Sequence, residues 1–143
     1  MTPSQIILIR RQFGALARRG DDFAALFHNR LFRLDPALRP LFPADLAAQR
    51  GKLVKALAHV ILSLHDLPAV IGEIRALGLR HTGYGVTAAH YDTVGLALLE
   101  TLADMLGDAF DGESRTAWAL AYGTVADAMI EAGAQVAASV AAE

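Results

Sequence analysis

Residues 70–85, with the sequence VIGEIRALGLRHTGYG, carry the pattern that decides the fold. Four of their apolar residues recur at the spacing of one helix face: Val70, Ile71, Ile74 and Leu77. His81 continues that face one turn later, and the Gly-Tyr-Gly segment at 83–85 predicts a turn directly after it. The imidazole of His81 is therefore expected to face the interior, where it needs a hydrogen bond, a charge or a metal as its partner.

The bulk composition is that of one folded domain, and we predict a single domain over residues 1–143. Apolar residues make up 54% of the chain and the mean hydropathy is +0.34, which is enough for a core and an apolar cavity. The net charge is −2 and the 13 basic residues are scattered along the sequence. This distribution argues against nucleic acid or a membrane surface as a partner.

Cysteine is absent, which excludes disulfides, cysteine-based zinc sites, iron–sulfur clusters and a catalytic thiol. A metal site would have to use His, Asp, Glu, Tyr or Met. The apolar run at 6–9 is short for a signal peptide, and its arginines follow it rather than precede it. No apolar run approaches the roughly 20 residues of a membrane span. These features predict a cytoplasmic protein.

The periodicity is helical throughout, and no segment alternates as a strand would. We predict a first helix that Gly20 ends and a second that Asp21 or Asp22 caps. The Ala-rich residues 134–143 are expected to fray. The predicted helical segments run from Pro3 to about Arg19, from Asp21 or Asp22 onward, from Pro36 to Leu41, from Asp45 to about His65, from Leu67 to about His81, from Ala88 to Leu106, and from Glu113 to about Ala138.

Three polar residues interrupt apolar faces on three different predicted helices: His28, Gln49 and His81. A buried imidazole or amide costs a few kcal/mol when unpaired, so the three are expected to share a polar point inside an apolar cavity. The alternative for each histidine is a hydrogen-bonded core residue, and for Gln49 a boundary residue that reaches solvent. The other histidines, His59, His65 and His90, have the spacing of surface or helix-end residues. No zinc-protease motif, phosphate loop or Ser–His–acid order supports hydrolytic chemistry.

Several short segments, in this order and spacing, resemble a single-domain bacterial globin related to the globin domains of flavohaemoglobins. The resemblance covers nearly the whole chain, and no reductase domain follows in this sequence. The segments that carry it are LRPLF at 38–42, QRGKL at 49–53, LRHTGYGV at 79–86, HYDTVG at 90–95, and AW at 117–118 followed by YG at 122–123. The resemblance implies an all-α globin fold whose helices pack around haem b.

The resemblance also assigns roles to residues that match the family's positions. His81 matches the proximal histidine that binds the haem iron, and Phe42 matches the phenylalanine that packs on the haem face. Gln49 matches the distal position that faces the bound ligand, and Leu53 matches the apolar residue over the iron. An imidazole that binds iron through one ring nitrogen needs a hydrogen-bond acceptor for the N–H of the other. For His81, the carbonyl of Leu77 one turn earlier is the natural candidate.

Four further residues match positions around the rim of a haem site. Tyr91 matches a tyrosine that lines the proximal side, and Val86 matches a contact at the haem edge. Lys52 and Arg80 could reach the haem propionates, although solvated surface charges are at least as good an interpretation.

The sequence departs from this family in two places. Close relatives have Tyr where this chain has His28, whose shorter side chain favours a bridging water and could titrate near neutral pH. His28 could also bind iron directly, although its helix normally stands too far away. On the proximal side, flavohaemoglobins pair the histidine with a Glu, whereas the matching residue here is Gly133. Glu131 is nearby in sequence but points to the other side of the helix.

The implied function is reversible binding of dioxygen, or of another diatomic gas such as nitric oxide or carbon monoxide, at a pentacoordinate or weakly hexacoordinate haem iron. This interpretation makes the protein an oxygen-binding or oxygen-transport globin, as a monomer or weak homodimer. The enzymatic alternative is nitric oxide dioxygenation with a separate reductase. A third alternative is a haem-free or sensor globin that acts through a partner.

Overall fold

The computed structural model describes residues 1–142, and they form helices and connecting turns without a strand. The order of the predicted helices is confirmed. The α-helices are α1 (Pro3–Ala17), α2 (Gly20–Leu34), α3 (Ala47–Leu62), α4 (Ile71–Gly83), α5 (Ala88–Leu106) and α6 (Gly112–Ala142). Three short 3₁₀ helices connect them at Pro36–Leu41, Leu64–Val70 and Gly107–Ala109.

Local capping signals explain where two of the helices begin. Thr2 and Gln5 form a reciprocal capping box at α1, in which each side chain accepts the other residue's backbone N–H at 3.2 and 2.8 Å. At α5 the backbone N–H of Thr87 donates to Nδ1 of His90 at 3.0 Å. His90 is therefore a helix-end residue, as the sequence predicts.

The predicted boundary between α1 and α2 is wrong at three residues. Gly20 opens α2 rather than ending α1, and a Cβ there would lie 3.3 Å from the side chain of Val54 on α3. Asp21 and Asp22 lie in the first turn of α2 and make no capping bond. Carboxylates are favourable anywhere in the first turn because of the helix dipole, so their composition alone does not locate the cap. Asp21 instead pairs with Arg50 at 2.8 Å.

The long helix predicted from Asp45 to His65 is shorter than expected. Asp45 accepts the backbone N–H of Ala47 at 2.9 Å where α3 begins, and α3 ends at Leu62. Arg10 from α1 reaches that end and donates to the carbonyl of Leu62 at 3.0 Å. The chain then continues as the 3₁₀ helix Leu64–Val70 and turns by 105° between the two helical stretches.

The C-terminal ends of α4 and α6 also differ from the predictions. Helix α4 extends to Gly83, and the predicted turn follows with Gly85 at φ 92°, in the left-handed region that favours glycine. Helix α6 continues to Ala142, beyond the predicted end at Ala138, because its run of alanines has high helix propensity. The fraying expected for residues 134–143 stays a prediction, and Glu143 lies outside the described residues.

No single helix within residues 1–142 is long and apolar enough to cross a membrane. By length and composition alone, the stretches Ala47–Leu62 and Leu64–Gly83 would be sufficient only if taken together. They are bent by 105° relative to each other.

The apolar core is divided into two clusters. The larger cluster is built from α1, α2, α5 and the first half of α6, together with Leu38 and the end of α3, and its fully buried residues include Ile9, Phe23, Leu31 and Leu102. The smaller cluster joins α4, α5 and α6 through Ile74, Tyr91, Ala126 and Met129. Leu67 and Tyr122 pack against both clusters and connect them. Each large side chain buried in this way contributes about 1.5–3 kcal/mol.

Candidate functional site

The imidazole of His81 is oriented by its own helix. Its Nδ1 lies 2.8 Å from the backbone carbonyl of Leu77, which confirms the predicted acceptor. A carbonyl oxygen can only accept, so Nδ1 carries the hydrogen and Nε2 presents its lone pair outward. His81 and Leu77 are half-buried, and within the α4 face predicted from the sequence only Ile74 is fully buried. The imidazole is therefore partly rather than fully buried by the described residues.

Tyr91 lies beside His81 and Tyr122 contacts Tyr91, and the two hydroxyls differ in how they are satisfied. The ring of Tyr91 lies 6.4 Å from that of His81, and its buried hydroxyl has no hydrogen-bond partner in the described part of the chain. The hydroxyl of Tyr122 donates to the backbone carbonyl of Tyr91 at 2.6 Å. The ring of Tyr122 occupies the space left by Gly95, where a Cβ would lie 2.8 Å away. Burial raises the pKa of both phenols, so both are neutral at physiological pH.

On α2, His28 sits in a cage of aromatic rings. It is 2% exposed, and its Nδ1 has no hydrogen-bond partner within residues 1–142. The ring centroids around it are those of Phe27 at 5.5 Å, Phe32 at 6.1 Å and Phe42 at 5.6 Å. The structure thus brings together His28 and Phe42, which the sequence places on separate elements.

The charge state of His28 differs from the sequence-based expectation. Its pKa is lowered to about 4, mainly by burial and in smaller part by the nearby guanidinium groups of Arg50 and Arg39. The expectation that His28 titrates near neutral pH is therefore wrong. At pH 7 the ring is neutral, with one nitrogen able to donate and the other able to accept.

Arg39 is a residue that the sequence reasoning missed. Its guanidinium lies 5.3 Å from the centre of the Phe32 ring. It donates to three successive carbonyls, those of Phe42 at 3.4 Å, Pro43 at 2.9 Å and Ala44 at 2.9 Å. Arg39 thereby holds the corner that presents Phe42. The available signal was its place in the last turn of a short helix, where basic side chains meet free carbonyls.

The remaining predicted site residues make no side-chain hydrogen bond to His28 or His81 within residues 1–142. Gln49 is half-buried near the start of α3, and no hydrogen bond within residues 1–142 joins it to His28 or His81. Leu53 packs against the larger cluster and Val86 against the smaller one. Two charged residues predicted at the rim, Lys52 and Arg80, are exposed. No hydrogen bond within the described residues therefore joins the three polar groups, and their convergence on one cavity stays a prediction.

The proximal departure noted in the sequence has a steric basis. Gly133 is buried against α4, and a Cβ at this position would overlap Oγ1 of Thr82. Glu131 is exposed and accepts a hydrogen bond from Gln135 at 3.2 Å, so it points away from His81 as predicted. The space beside α4 thus belongs to Thr82 and has no room for a carboxylate.

The side chains that could bind a metal here suit an ion whose other ligands come from a cofactor. Within residues 1–142 no three His, Asp or Glu side chains are close enough to hold an ion together. Haem iron needs one good axial base from the protein and an apolar slot, and Nε2 of His81 is such a base. Two open surface clefts, one beside Ser4 and Glu113 and one beside Asp92 and Leu96, lie on other residues. The residues present therefore fit haem at His81.

A model of the globin family matches residues 25–129. The chain is a globin. Among curated proteins it is 34% identical over 135 residues to a flavohaemoprotein of Deinococcus radiodurans and 30% identical over 128 residues to one of Bacillus subtilis. These alignments cover 91% and 87% of this globin but only 33% and 32% of the relatives, so the chain spans about a third of their length.

Solved structures show the same fold. A bacterial globin from Campylobacter jejuni superimposes with a TM-score of 0.83 at 25% identity, covering 94% of this chain and 98% of that one. An engineered carbene transferase, derived from a candidate nitric oxide dioxygenase of Rhodothermus marinus, gives a TM-score of 0.87 at 28% identity and covers 99% of both chains. The all-α globin fold is thus confirmed, and haem is the cofactor that this family membership implies.

The lowered pKa of His28 makes stability depend on pH in one direction. The unfolded chain protonates this residue near pH 6.5 and the folded globin only near pH 4, so stability is lost as the pH falls between these values. Between pH 7 and pH 4, the free energy of unfolding should fall by about 3 kcal/mol less in the His28→Leu variant than in the parent. Urea unfolding of the haem-free protein between pH 4 and pH 7 measures this difference.

The matched control is His59→Leu, because His59 is exposed and pairs only with Glu73 at the surface. Equal acid dependence in the parent and in His28→Leu would contradict the assignment.

The two tyrosines should respond oppositely to loss of the hydroxyl. Tyr91→Phe removes a buried group without a partner, so we expect the free energy of unfolding to stay the same or rise by about 1 kcal/mol. Tyr122→Phe removes the hydrogen bond to the Tyr91 carbonyl and should lower the free energy of unfolding by about 1–2 kcal/mol. Urea denaturation of both variants checks the contrast, and a larger loss in Tyr91→Phe would show that its hydroxyl has a partner.

Proposed function

We propose that this globin binds haem b through Nε2 of His81 and takes up dioxygen or another diatomic gas reversibly. The observation that carries the proposal is the bond from Nδ1 of His81 to the Leu77 carbonyl, which leaves Nε2 as a lone-pair donor on an apolar flank of the fold. When bound, haem supplies an iron with an open position at which a diatomic gas can coordinate.

The proximal residues favour gas binding over redox catalysis. The acceptor for Nδ1 of His81 is a neutral backbone carbonyl, which makes the imidazole a weaker electron donor than a carboxylate partner would. Thr82 fills the space where such a carboxylate would have to enter beside Gly133. Tyr91 beside His81 is neutral, so its hydroxyl adds no negative charge to the basicity of the imidazole.

On the opposite side, the chain supplies an apolar wall with two polar residues, His28 and Gln49. His28 is neutral at pH 7 and keeps an unpartnered Nδ1 inside the aromatic cage, where it can hold a water or a polarised diatomic ligand. Phe42 and Leu53 exclude bulk water, and the amide of Gln49 is the second candidate donor. Because the pKa of His28 is about 4, gas affinity should not change through this residue between pH 5 and 8.

Replacement of His81 tests the proposal directly. The purified parent should show an intense Soret band, and His81→Ala should lose most of it because no other side chain supplies the proximal base. The matched control His65→Ala removes an exposed histidine bound to Arg10 and should keep the band. Circular dichroism verifies that each variant is folded. A full Soret band in folded His81→Ala would overturn the proposal.

Nitric oxide dioxygenation is the second candidate, favoured by the likeness to the Rhodothermus marinus structure. This activity would need a separate reductase to return the iron to the ferrous state. We also propose that the protein is cytoplasmic. With dioxygen, NADPH and a generic ferredoxin reductase, a gas carrier should consume about one nitric oxide per haem and then stop. An enzyme would continue to produce nitrate over many turnovers. An electrode sensitive to nitric oxide distinguishes the two.

A further inference from the structure

Helix α4, which carries His81, lies directly against the backbone of α6. At the crossing, a Cβ added to Gly78 would lie 2.6 Å from both Cα and the carbonyl oxygen of Met129. These are backbone atoms within a helix, so they cannot rotate aside as the end of a side chain could. The distance between the two helices at this point therefore requires glycine at position 78.

A second contact lies one turn further along α4. A Cβ added to Gly133 on α6 would overlap Oγ1 of Thr82 and lie 3.5 Å from its Cβ. The same Oγ1 donates to the carbonyl of Gly78 at 3.1 Å. Rotation of Thr82 away from α6 would break that bond, so the two contacts act on one stretch of α4.

The other contacts of α4 lie away from this crossing: Arg75 donates to Gln135 on α6, and Glu73 pairs with His59 on α3. Ile74 is the one large side chain of α4 that is fully buried, and Ile71 at the start of the helix is 41% exposed. His81 lies three residues after Gly78 and directly before Thr82, and its ring is bonded to its own helix at Leu77. Since the ring follows the helix, its placement depends on how closely α4 approaches α6.

We propose that Gly78, Thr82 and Gly133 are positioning residues for His81. They set the distance and rotation of the last two turns of α4 on α6, and thereby the place of Nε2. The inference rests on the proposed function in one respect, namely that His81 is the residue that binds haem.

The experiment compares alanine substitutions at glycines that have neighbours with substitutions at glycines that have none. Gly78→Ala and Gly133→Ala are the test variants. Gly72→Ala on α4 and Gly123→Ala on α6 are the matched controls, because a Cβ at either position meets nothing within 4 Å. The controls should keep or raise stability, since alanine is the better helix former. Gly78→Ala should lower the folded-to-unfolded ratio of the haem-free protein roughly 5- to 30-fold.

Two spectroscopic readouts separate positioning from stability alone. In the haem-free protein, the ring resonances of His81 in a carbon–proton NMR spectrum should shift in both test variants and stay in place in both controls. In the haem-loaded ferrous protein, the iron–histidine stretching band in the resonance Raman spectrum should shift in the same two variants.

A second substitution at Thr82 sharpens the test. Adding Thr82→Ala to Gly133→Ala removes the overlapping oxygen and leaves a Cβ contact of 3.5 Å, so both signals should return toward the parent values. Adding Thr82→Val puts a methyl group in the place of the oxygen and should not restore them. This series keeps the proposal testable even if Gly78→Ala does not fold.

The proposal is overturned if the His81 resonances are unmoved in Gly133→Ala, or if Thr82→Val rescues as well as Thr82→Ala. Failure of the proposed function would look different. His81→Ala would then retain the Soret band and the parent would lack an iron–histidine band, while the NMR comparison of the haem-free variants would still report on the position of the ring.

Discussion

The contact between the backbones of α4 and α6 is the constraint on which the proximal half of this globin depends. Gly78 brings α4 within van der Waals distance of the main chain at Met129, and Thr82 rests where Gly133 has no side chain. The smaller apolar cluster forms around this crossing, with Tyr91 beside His81. Because backbone atoms cannot repack as side chains do, the crossing tolerates much less change than the half-buried residues around it.

The two sides of the candidate haem site differ in their electrostatics. On the proposed proximal side the imidazole of His81 donates to a neutral carbonyl and has the neutral phenol of Tyr91 beside it. On the distal side the positive charges of Arg39 and Arg50 act on a desolvated His28 and keep it neutral. Within residues 1–142, no carboxylate is hydrogen-bonded to the ring of His81 or His28. This arrangement suits the binding of an uncharged gas better than chemistry that needs a strongly basic axial ligand.

Much of the fold could be predicted from the sequence because helices are local structures. The helix starts at Pro3 and Ala88 and the acceptor role of Leu77 depend on residues within four positions of each other, and all three predictions are confirmed. The predictions were wrong where a tertiary contact decides. Gly20 has the composition of a helix terminator, yet it begins α2 because α3 packs closely on it at Val54. The roles of Phe42 and Gln49 toward haem rest on family resemblance.

By itself, the sequence determined that His81 continues an apolar face and on which helix it lies, because the spacing that leads to it is a repeat within a single helix. Its role as the proximal base is what the family resemblance implies. Only the tertiary structure decided the charge state of His28, since the burial and the two arginines that lower its pKa come from three separate elements. It also decided that Gly133 faces Thr82 rather than open space. Desolvation, charge and helix crossing depend on distances between residues far apart in the chain, and periodicity carries no information about those distances.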